Sequence, residues 1–195
     1  MAVELATHAD RREFVRSEVL ELVSHGWGVV PGSVWDGQRY TQGHTGLPTV
    51  GLVPVMVSGR TMSVAREAWS WWSVAPYGVL ARVGEKFEVL NVSSDLVSAA
   101  LATDDGATRS CPVMRSPDGN SACLIVTQGT RLCGALGCLA GVTLVRGGSL
   151  VPLPPTETAD GAWSWWIHPA DVGYRSGNGT AVQDALISQV RGGRV

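Results

Sequence analysis

The first pattern along the chain is a helical one. Over residues 7–25 apolar side chains recur at helical spacing, and four of them, Val15, Val19, Leu22 and Val23, fall on one face. A stripe of this kind predicts an amphipathic helix that buries one side. The stripe ends before Trp27, where a short apolar run predicts a strand over residues 27–30.

Short apolar runs separated by turn residues dominate the rest of the chain. Residues 77–83 and 87–92, joined by Gly84, Glu85 and Lys86, predict a β-hairpin. The further predicted strands are 109–114, 122–127, 142–146, 150–151 and 162–167. The further predicted helices are 63–73, capped by Ser63, 96–102, capped by Ser94 or Asp95, 130–139, and 180–190, capped by Thr180. Helices that flank a mostly antiparallel or mixed sheet predict the α+β class.

Two segments do not fit a simple pattern. Residues 32–60 are rich in Gly, Thr, Pro and Val without a clear period, and predict a surface insertion with at most a short strand. The tetrapeptide Trp-Ser-Trp-Trp occurs at residues 69–72 in a helical context and at 163–166 in a strand context. No surrounding period supports a repeat, so we interpret the match as coincidence.

Composition agrees with a packed core. Hydrophobic residues make up 45% and charged residues 16% of the 195 residues, a balance opposite to that of disordered chains. This length predicts a single domain covering residues 1–195. Because the sequence shows no signal peptide and no long apolar run, we expect a cytoplasmic protein without membrane association.

The charge balance argues against a general polyanion binder. Fifteen basic residues face 17 acidic ones, a net charge of −2, whereas nucleic-acid-binding domains usually carry a basic face. Folding would have to assemble any basic patch, because the arginines are scattered. The candidates for such a patch are Arg109, Arg115, Arg131 and Arg146. Cys133 and Cys138 have the C-x4-C spacing of a weak metal signal, but buried free thiols are the simpler interpretation.

Five segments appear in an order that resembles a known family. They are HGWGVVPG, AWSWWSVAPYGVLARVG, FEVLNVSS, SPDGNSACLIV and VRGGSLVPLPPTETADGAWSWW. From about residue 15 to 168 the chain resembles the bifunctional primase–polymerase (prim-pol) domain of the archaeo-eukaryotic primase superfamily. The resemblance implies a prim-pol-like mixed or antiparallel sheet flanked by helices, in a chain built for nucleotidyl transfer with divalent metals.

The resemblance also implies which positions would carry that chemistry. Two family carboxylates, which share metal ions from one strand face, fall on Asn91 and Ser93. The family histidine falls on Ala122, or on Cys123 if the alignment shifts by one residue, and the third acid falls on Leu144. None of these side chains is an anionic ligand for Mg²⁺ or Mn²⁺. The resemblance therefore predicts no catalytic residues, no metal and no cofactor.

The insertion resembles a metal knuckle that has lost its ligands. Relatives carry the pattern C-x-C-G, then Cys, then G-x-H-P, where this sequence has residues 40–43, Leu47 and residues 51–54. Every thiol and imidazole of the pattern is replaced, which predicts a loop without zinc. We interpret the nearby His44 as a surface residue.

An active enzyme is the alternative interpretation. A metal-dependent nucleotidyltransferase with Mg²⁺ or Mn²⁺ could use the acids Glu85, Glu88 and Asp95 around the degraded motif. Asp95 would share the face of Ser93 only if the strand continued, and a helix cap is its commoner use. Glu88 is three residues before Asn91 and so faces the other side of a regular strand.

The interpretation we favour is a pseudo-enzyme that serves as a binding or regulatory module in nucleic-acid metabolism. A protein partner or self-association is expected, with nucleic-acid binding possible but weak. The interface candidates are the apolar residues Leu47, Leu52, Val53, Val55 and Met56 of the insertion. The insertion could instead fold back and bury these residues. The eight tryptophans could stack on bases or, as is commoner, fill the core.

Overall fold

The structure, a computed structural model, describes residues 8–56, 60–103 and 106–193. The chain divides into two compact units, which we call unit 1 (residues 1–82 and 151–161) and unit 2 (residues 83–150 and 162–195). Both helices and antiparallel sheets are present, so the predicted α+β class is confirmed. The prim-pol topology and the single-domain organisation stay predictions. Within the described ranges, no helix is long and apolar enough to cross a membrane.

The helices and strands are short apart from the first and last helices. The helices are α1 (His8–Ser24), α2 (Ala65–Trp72), α3 (Ser94–Leu101), α4 (Gly106–Arg109), α5 (Gly134–Gly137) and α6 (Gly179–Arg191), with a 3-10 turn at Pro169–Val172. The strands of the first half are β1 (Val29–Gly32), β2 (Val34–Trp35), β3 (Tyr40–Thr41), β4 (Pro48–Thr49), β5 (Gly78–Arg82) and β6 (Phe87–Ser93). The remaining strands are β7 (Val113–Arg115), β8 (Ser121–Thr127), β9 (Thr143–Val145), β10 (Leu150–Leu153), β11 (Glu157–Thr158), β12 (Gly161–Ala162) and β13 (Ser164–Ile167).

Unit 1 is built on a small sheet of order β1-β5-β10. β1 and β5 are antiparallel, with Val29 opposite Ala81. The buried Thr156 adds a side-chain bridge to this sheet, because its Oγ1 accepts from the Val79 N–H at 2.8 Å and donates to the Val79 carbonyl at 3.1 Å. Helices α1 and α2 pack on each other beside this sheet, and the apolar stripe predicted for α1 is buried as expected.

The insertion in unit 1 contains more structure than the sequence predicts. Instead of at most a short strand, β2, β3 and β4 form an antiparallel meander. The chain then returns along β1 and is held by Ser33, whose N–H donates to the Val53 carbonyl at 2.8 Å. The Ser33 hydroxyl also donates to the Gly51 carbonyl and accepts from the Val53 N–H. The Val55 N–H also donates to the Pro31 carbonyl of β1 at 2.9 Å, so the insertion is hydrogen-bonded to the unit 1 sheet.

Unit 2 contains a five-stranded sheet of order β13-β7-β8-β6-β9. Its neighbouring strands pair in antiparallel register, for example Leu90 with Leu124 on β8 and with Leu144 on β9. One face packs against α3 and α6 in a cluster of fully or nearly buried apolar residues. That cluster includes Leu90, Val92, Ala122, Leu124, Val126 and Leu186.

Several local predictions differ from the structure. The residue predicted to cap α2, Ser63, is not the cap, because the N-cap position is Val64 and makes no side-chain bond. Asn178, not Thr180, caps α6 with its side-chain oxygen. The strand predicted over residues 109–114 begins as the end of α4 and is extended only from Val113, and the helix predicted over 130–139 is confined to α5.

Candidate functional site

The two positions that the resemblance assigns to carboxylates lie on one face of β6, as their spacing requires. Asn91 and Ser93 alternate with the buried Leu90 and Val92, which point to the helices. Cys123 on β8 lies directly opposite Asn91, and its thiol is 3.5 Å from the Asn91 side-chain oxygen. On the other side of Asn91 the opposite residue is Thr143 of β9. An amide, a thiol and two hydroxyls thus occupy this face.

The side chain of Ser93 is hydrogen-bonded to the backbone of the next helix. Its Oγ accepts the N–H of Leu96 at 3.3 Å, which makes Ser93 the N-cap of α3. The cap is therefore one residue earlier than the predicted Ser94 or Asp95. Because the helix begins directly after Ser93, Asp95 lies exposed in its first turn and not on a continued strand.

The other two motif positions lie on the opposite face of the sheet. Ala122 pairs with Val92 and Leu144 pairs with Leu90, so both belong to the face that packs on the helices. The alignment shifted by one residue therefore fits the geometry better, because Cys123 shares the face of Asn91. The residue of β9 opposite Asn91 is likewise Thr143 and not Leu144. The sequence did not predict Thr143, because its position depends on strand register.

Burial keeps the thiol of this face protonated. Cys123 is only 7% exposed, and desolvation raises the pKa of its thiol to about 12. A thiol of this kind is not a ready nucleophile or metal ligand at neutral pH, since both roles require the thiolate. Cys111 is also buried and its pKa is raised to about 12 for the same reason. Cys138 is exposed and Cys133 is half-buried, and both are free.

The alternative acids do not converge on one point. Glu85 lies in the turn before β6 and Asp95 lies beyond its other end. β6 spans seven residues, which corresponds to about 20 Å. Glu88 is buried on the helix-facing side, as predicted from its spacing to Asn91, and its Oε2 has no hydrogen-bond partner among the described residues. In the described ranges no group of three His, Cys, Asp or Glu side chains is placed to hold a metal ion.

The four candidate arginines are exposed but lie on different elements of unit 2. Arg109 donates from the end of α4 to the Leu101 carbonyl, and Arg115 of β7 lies over the Trp166 ring at 5.5 Å. Arg131 precedes α5, and Arg146 follows β9. By strand register, Arg115 and Arg146 are separated by three strand spacings across the sheet and by about four residues along the strands. These two offsets together give a distance of about 20 Å. These two arginines therefore belong to different parts of the surface.

The interface candidates of the insertion divide into two groups. Leu47 is 56% exposed and its neighbour Val50 is 96% exposed. Leu52 is half-buried, and its Cδ1 lies close to the α-carbons of Gly32 and Gly78, where a Cβ would come within about 3.1 Å. The remaining candidates are also half-buried, namely Val53, Val55 and Met56. The insertion thus folds back in part and leaves two large apolar side chains at its tip.

A cavity that the sequence did not predict lies beside α2 in unit 1. It has a volume of about 220 Å³ and is lined by His44, Ser70, Trp71, Val74 and Tyr77. His44 is exposed, as predicted, but its Nδ1 is also hydrogen-bonded to the Tyr77 hydroxyl at 2.6 Å. Burial raises the pKa of Tyr77 above its usual value. No sequence signal joins residues 33 positions apart, and only the fold brings these rings together.

No protein-family model, curated protein or solved structure matches this chain. The resemblance to prim-pol domains therefore rests on the sequence motifs alone.

Proposed function

We propose that this chain is a catalytically inactive prim-pol-like module that acts by binding, in nucleic-acid metabolism. The main supporting observation is that the side chains of Asn91 and Ser93 make hydrogen bonds within the protein at the two positions where the family has carboxylates. Nucleotidyl transfer with two divalent metal ions requires carboxylate ligands at these two positions. Here the amide of Asn91 accepts from a protonated thiol and the hydroxyl of Ser93 caps a helix.

A polymerase assay tests the proposal directly. The purified chain is incubated with a primed template, nucleoside triphosphates and Mn²⁺, and separately with an unprimed template. The expected result is no product in either reaction. Product that disappears in a Glu88→Gln or Asp95→Asn variant would support the alternative enzyme, whereas product that disappears in an Asn91→Ala variant would show that the degraded face still works.

The distribution of exposed apolar residues supports a binding role. Six of the eight large hydrophobic residues exposed in the described ranges belong to unit 1. They are Phe14, Leu47, Val50, Val64, Trp69 and Val74. Exposed apolar side chains that form a patch commonly mark a contact surface. A protein partner or a second copy of the chain is therefore the partner class we favour over nucleic acid.

Self-association is tested by light scattering over a wide range of protein concentration. A concentration-dependent mass that becomes constant in a Leu47→Asp/Val50→Asp variant would place the self-contact at the tip of the insertion. A constant monomer mass in the original chain would leave a different protein as the partner. A Trp166→Asp variant provides the matched control, because Trp166 is exposed in unit 2.

A further inference from the structure

Two adjoining concavities lie along the exposed side of α2. The smaller is the cavity of about 220 Å³ lined by His44, Ser70, Trp71, Val74 and Tyr77. The larger has a volume of about 460 Å³ and is lined by Val64, Arg66, Glu67, Trp69 and Ser70. Because Ser70 lines both, they form one continuous surface of unit 1, which we call the α2 groove.

Aromatic rings form the smaller half of the groove. The rings of Trp71 and Tyr77 lie 5.6 Å apart at 65°, and the His44 ring lies 6.4 Å from Trp71 at 80°. Tyr77 is only 1% exposed and forms the floor, whereas Trp71 and His44 are accessible at the sides. Inclined aromatic faces around a small apolar space suit one large aromatic side chain, which would make edge-to-face contacts with them.

This half of the groove is held in place before any ligand binds. The Tyr77 hydroxyl is hydrogen-bonded to His44 Nδ1 at 2.6 Å. The Tyr77 carbonyl accepts from the indole N–H of the fully buried Trp72 at 2.9 Å. Fixed rings cost little ordering entropy on binding, which favours affinity for a matching side chain.

The larger half of the groove carries positive charge. Arg66 is exposed in the first turn of α2, and the Arg16 guanidinium lies 4.1 Å over the Trp69 ring. In the ranges that the structure describes, neither arginine has a carboxylate within 4.0 Å. The acid of this half, Glu67, is paired with Arg60. Arg66 is therefore free to pair with a carboxylate of a ligand.

The surroundings favour a protein segment over a nucleic-acid strand. A nucleic-acid strand presents a phosphate at every nucleotide and requires a row of cations, whereas Arg66 is the one arginine or lysine among the residues that line the groove. Val64 and Val74, at the two ends of the groove, are 58% and 57% exposed. Aliphatic edges of this kind match the apolar contacts of protein interfaces.

We propose that the α2 groove docks a short acidic protein segment. An aromatic side chain of the segment lies against the accessible edges of His44 and Trp71, over the Tyr77 floor, and a carboxylate pairs with Arg66. This proposal rests on the proposed function as a binding module and names the chemistry of its partner. It does not depend on the loss of catalysis.

The test uses a labelled pentapeptide with a central tryptophan flanked by two glutamates on each side. Two further peptides have alanine in place of tryptophan or lysines in place of the glutamates. Binding is measured by fluorescence anisotropy in buffer with a metal chelator, which separates it from any nucleotidyl transfer. We expect the acidic aromatic peptide to bind with a Kd below about 1 mM and each altered peptide to bind at least about tenfold more weakly.

Variants of the chain locate the site. Trp71→Ala is expected to weaken binding of the acidic aromatic peptide by about 30-fold, as truncation of an interface anchor commonly does. Because Trp71→Ala could disturb folding, Val74→Asp and Arg66→Glu provide independent changes at exposed positions, each expected to weaken binding by about tenfold. The matched controls in unit 2 are Trp166→Ala and Arg191→Glu, expected to bind within about twofold of the original chain.

The proposal is overturned if the acidic aromatic peptide does not bind, or if all variants bind it equally. It is also overturned if the lysine peptide binds as well as the glutamate peptide. A (dT)12 oligonucleotide that binds more tightly and is released by the Val74→Asp and Arg66→Glu changes would assign the groove to nucleic acid instead. Product formation in the polymerase assay would contradict the proposed function while leaving these peptide results to stand.

Discussion

The tetrapeptide Trp-Ser-Trp-Trp adopts two different structures in this protein. At residues 69–72 in unit 1 it lies within helix α2, and from Ser164 to Trp166 in unit 2 it lies within strand β13. In the helix, the buried positions are Ala68 and Trp72, four residues apart, so that only the last tryptophan is fully buried. In the strand, burial alternates from one residue to the next.

The difference shows that neighbouring residues set the local structure, not the tetrapeptide itself. In unit 1 the tetrapeptide follows Ala65, Arg66, Glu67 and Ala68, which favour a helix. In unit 2 it follows the short strand β12 and pairs with β7. The two units also differ in their surfaces, because unit 1 exposes aromatic and apolar side chains along α2, whereas the motif positions of unit 2 serve packing and capping.

Removing one tryptophan from each tetrapeptide should produce the largest difference in stability. Trp72 is fully buried and donates to the Tyr77 carbonyl, so Trp72→Ala should reduce the free energy of unfolding by about 3–5 kcal/mol. Trp166 is 36% exposed, and Trp166→Ala should cost less than about 1 kcal/mol. Urea denaturation measures both. Equal losses would mean that the two tetrapeptides are packed alike.

A smaller effect is expected from two buried glutamines on α6 of unit 2. Gln183 accepts from the Cys133 N–H at 2.8 Å and donates to the Arg131 and Gly179 carbonyls. Gln183→Leu should therefore cost about 2–3 kcal/mol, because it leaves buried backbone groups without partners. Gln189 is as buried, but its Oε1 has no partner among the described residues.

Gln189→Leu is the matched control for this change. It removes an unsatisfied oxygen and one bond, from Nε2 to the neighbouring Ser188 hydroxyl at 3.1 Å, so it should reduce the free energy of unfolding by less than about 1 kcal/mol. The measurement is again urea denaturation. A larger loss for Gln189→Leu than for Gln183→Leu would contradict the hydrogen-bond argument for unit 2.

The sequence predicted the elements that depend on local periodicity. The helix expected over residues 7–25 corresponds to α1 at His8–Ser24, and the strand expected at 87–92 corresponds to β6. Each carries its own repeating pattern over two or more turns or pleats. The hairpin predicted between residues 77–83 and 87–92 is wrong, because β5 and β6 belong to different sheets and β6 pairs with β8 and β9. The insertion strands β2, β3 and β4 have two residues each, too few to show a period.

The candidate sites depend on cross-strand register and on tertiary contacts, which the sequence indicates only weakly. The motif positions Asn91 and Ser93 share a face because i and i+2 always do in a strand. Whether Ala122 or Cys123 joins them depends on cross-strand register, where a shift of one residue exchanges the two faces. The aromatic cavity joins His44 to Tyr77 through the tertiary fold, which no local pattern encodes.

Rising pH should first destabilise the protein through two buried thiols of unit 2. Burial raises the pKa of Cys111 and Cys123, both in unit 2, from 9.0 to about 12, so the folded state keeps protons that the unfolded state loses. The stability that these thiols contribute is fully present below pH 9 and is lost as pH rises toward 12, at about 1.4 kcal/mol per pH unit for each thiol. The pKa of Tyr77 in unit 1 is raised from 10.0, so the stability that it contributes is fully present below pH 10 and its loss begins only above that pH.

Urea denaturation between about pH 8 and pH 10 measures this loss, since the ordinary thiol pKa lies in that interval. A Cys111→Ala/Cys123→Ala variant should show a flatter pH dependence, and a Cys138→Ala variant should behave as the original chain because Cys138 is exposed. An unchanged slope in the double variant would mean that other groups cause the alkaline loss.

The smallest expected effect concerns Ser93, the motif position that the structure assigns to a helix cap. Ser93→Ala removes the acceptor of the Leu96 N–H and should cost about 1 kcal/mol. Ser93→Asp keeps an acceptor and adds a negative charge near the helix N-terminus, so it should retain stability within about 0.5 kcal/mol. The measurement is the urea midpoint of each variant, compared with Ser98→Ala, an exposed position in the same helix. If Ser93→Ala is neutral and Ser93→Asp is strongly destabilising, Ser93 does not cap α3, and the face it shares with Asn91 has another use.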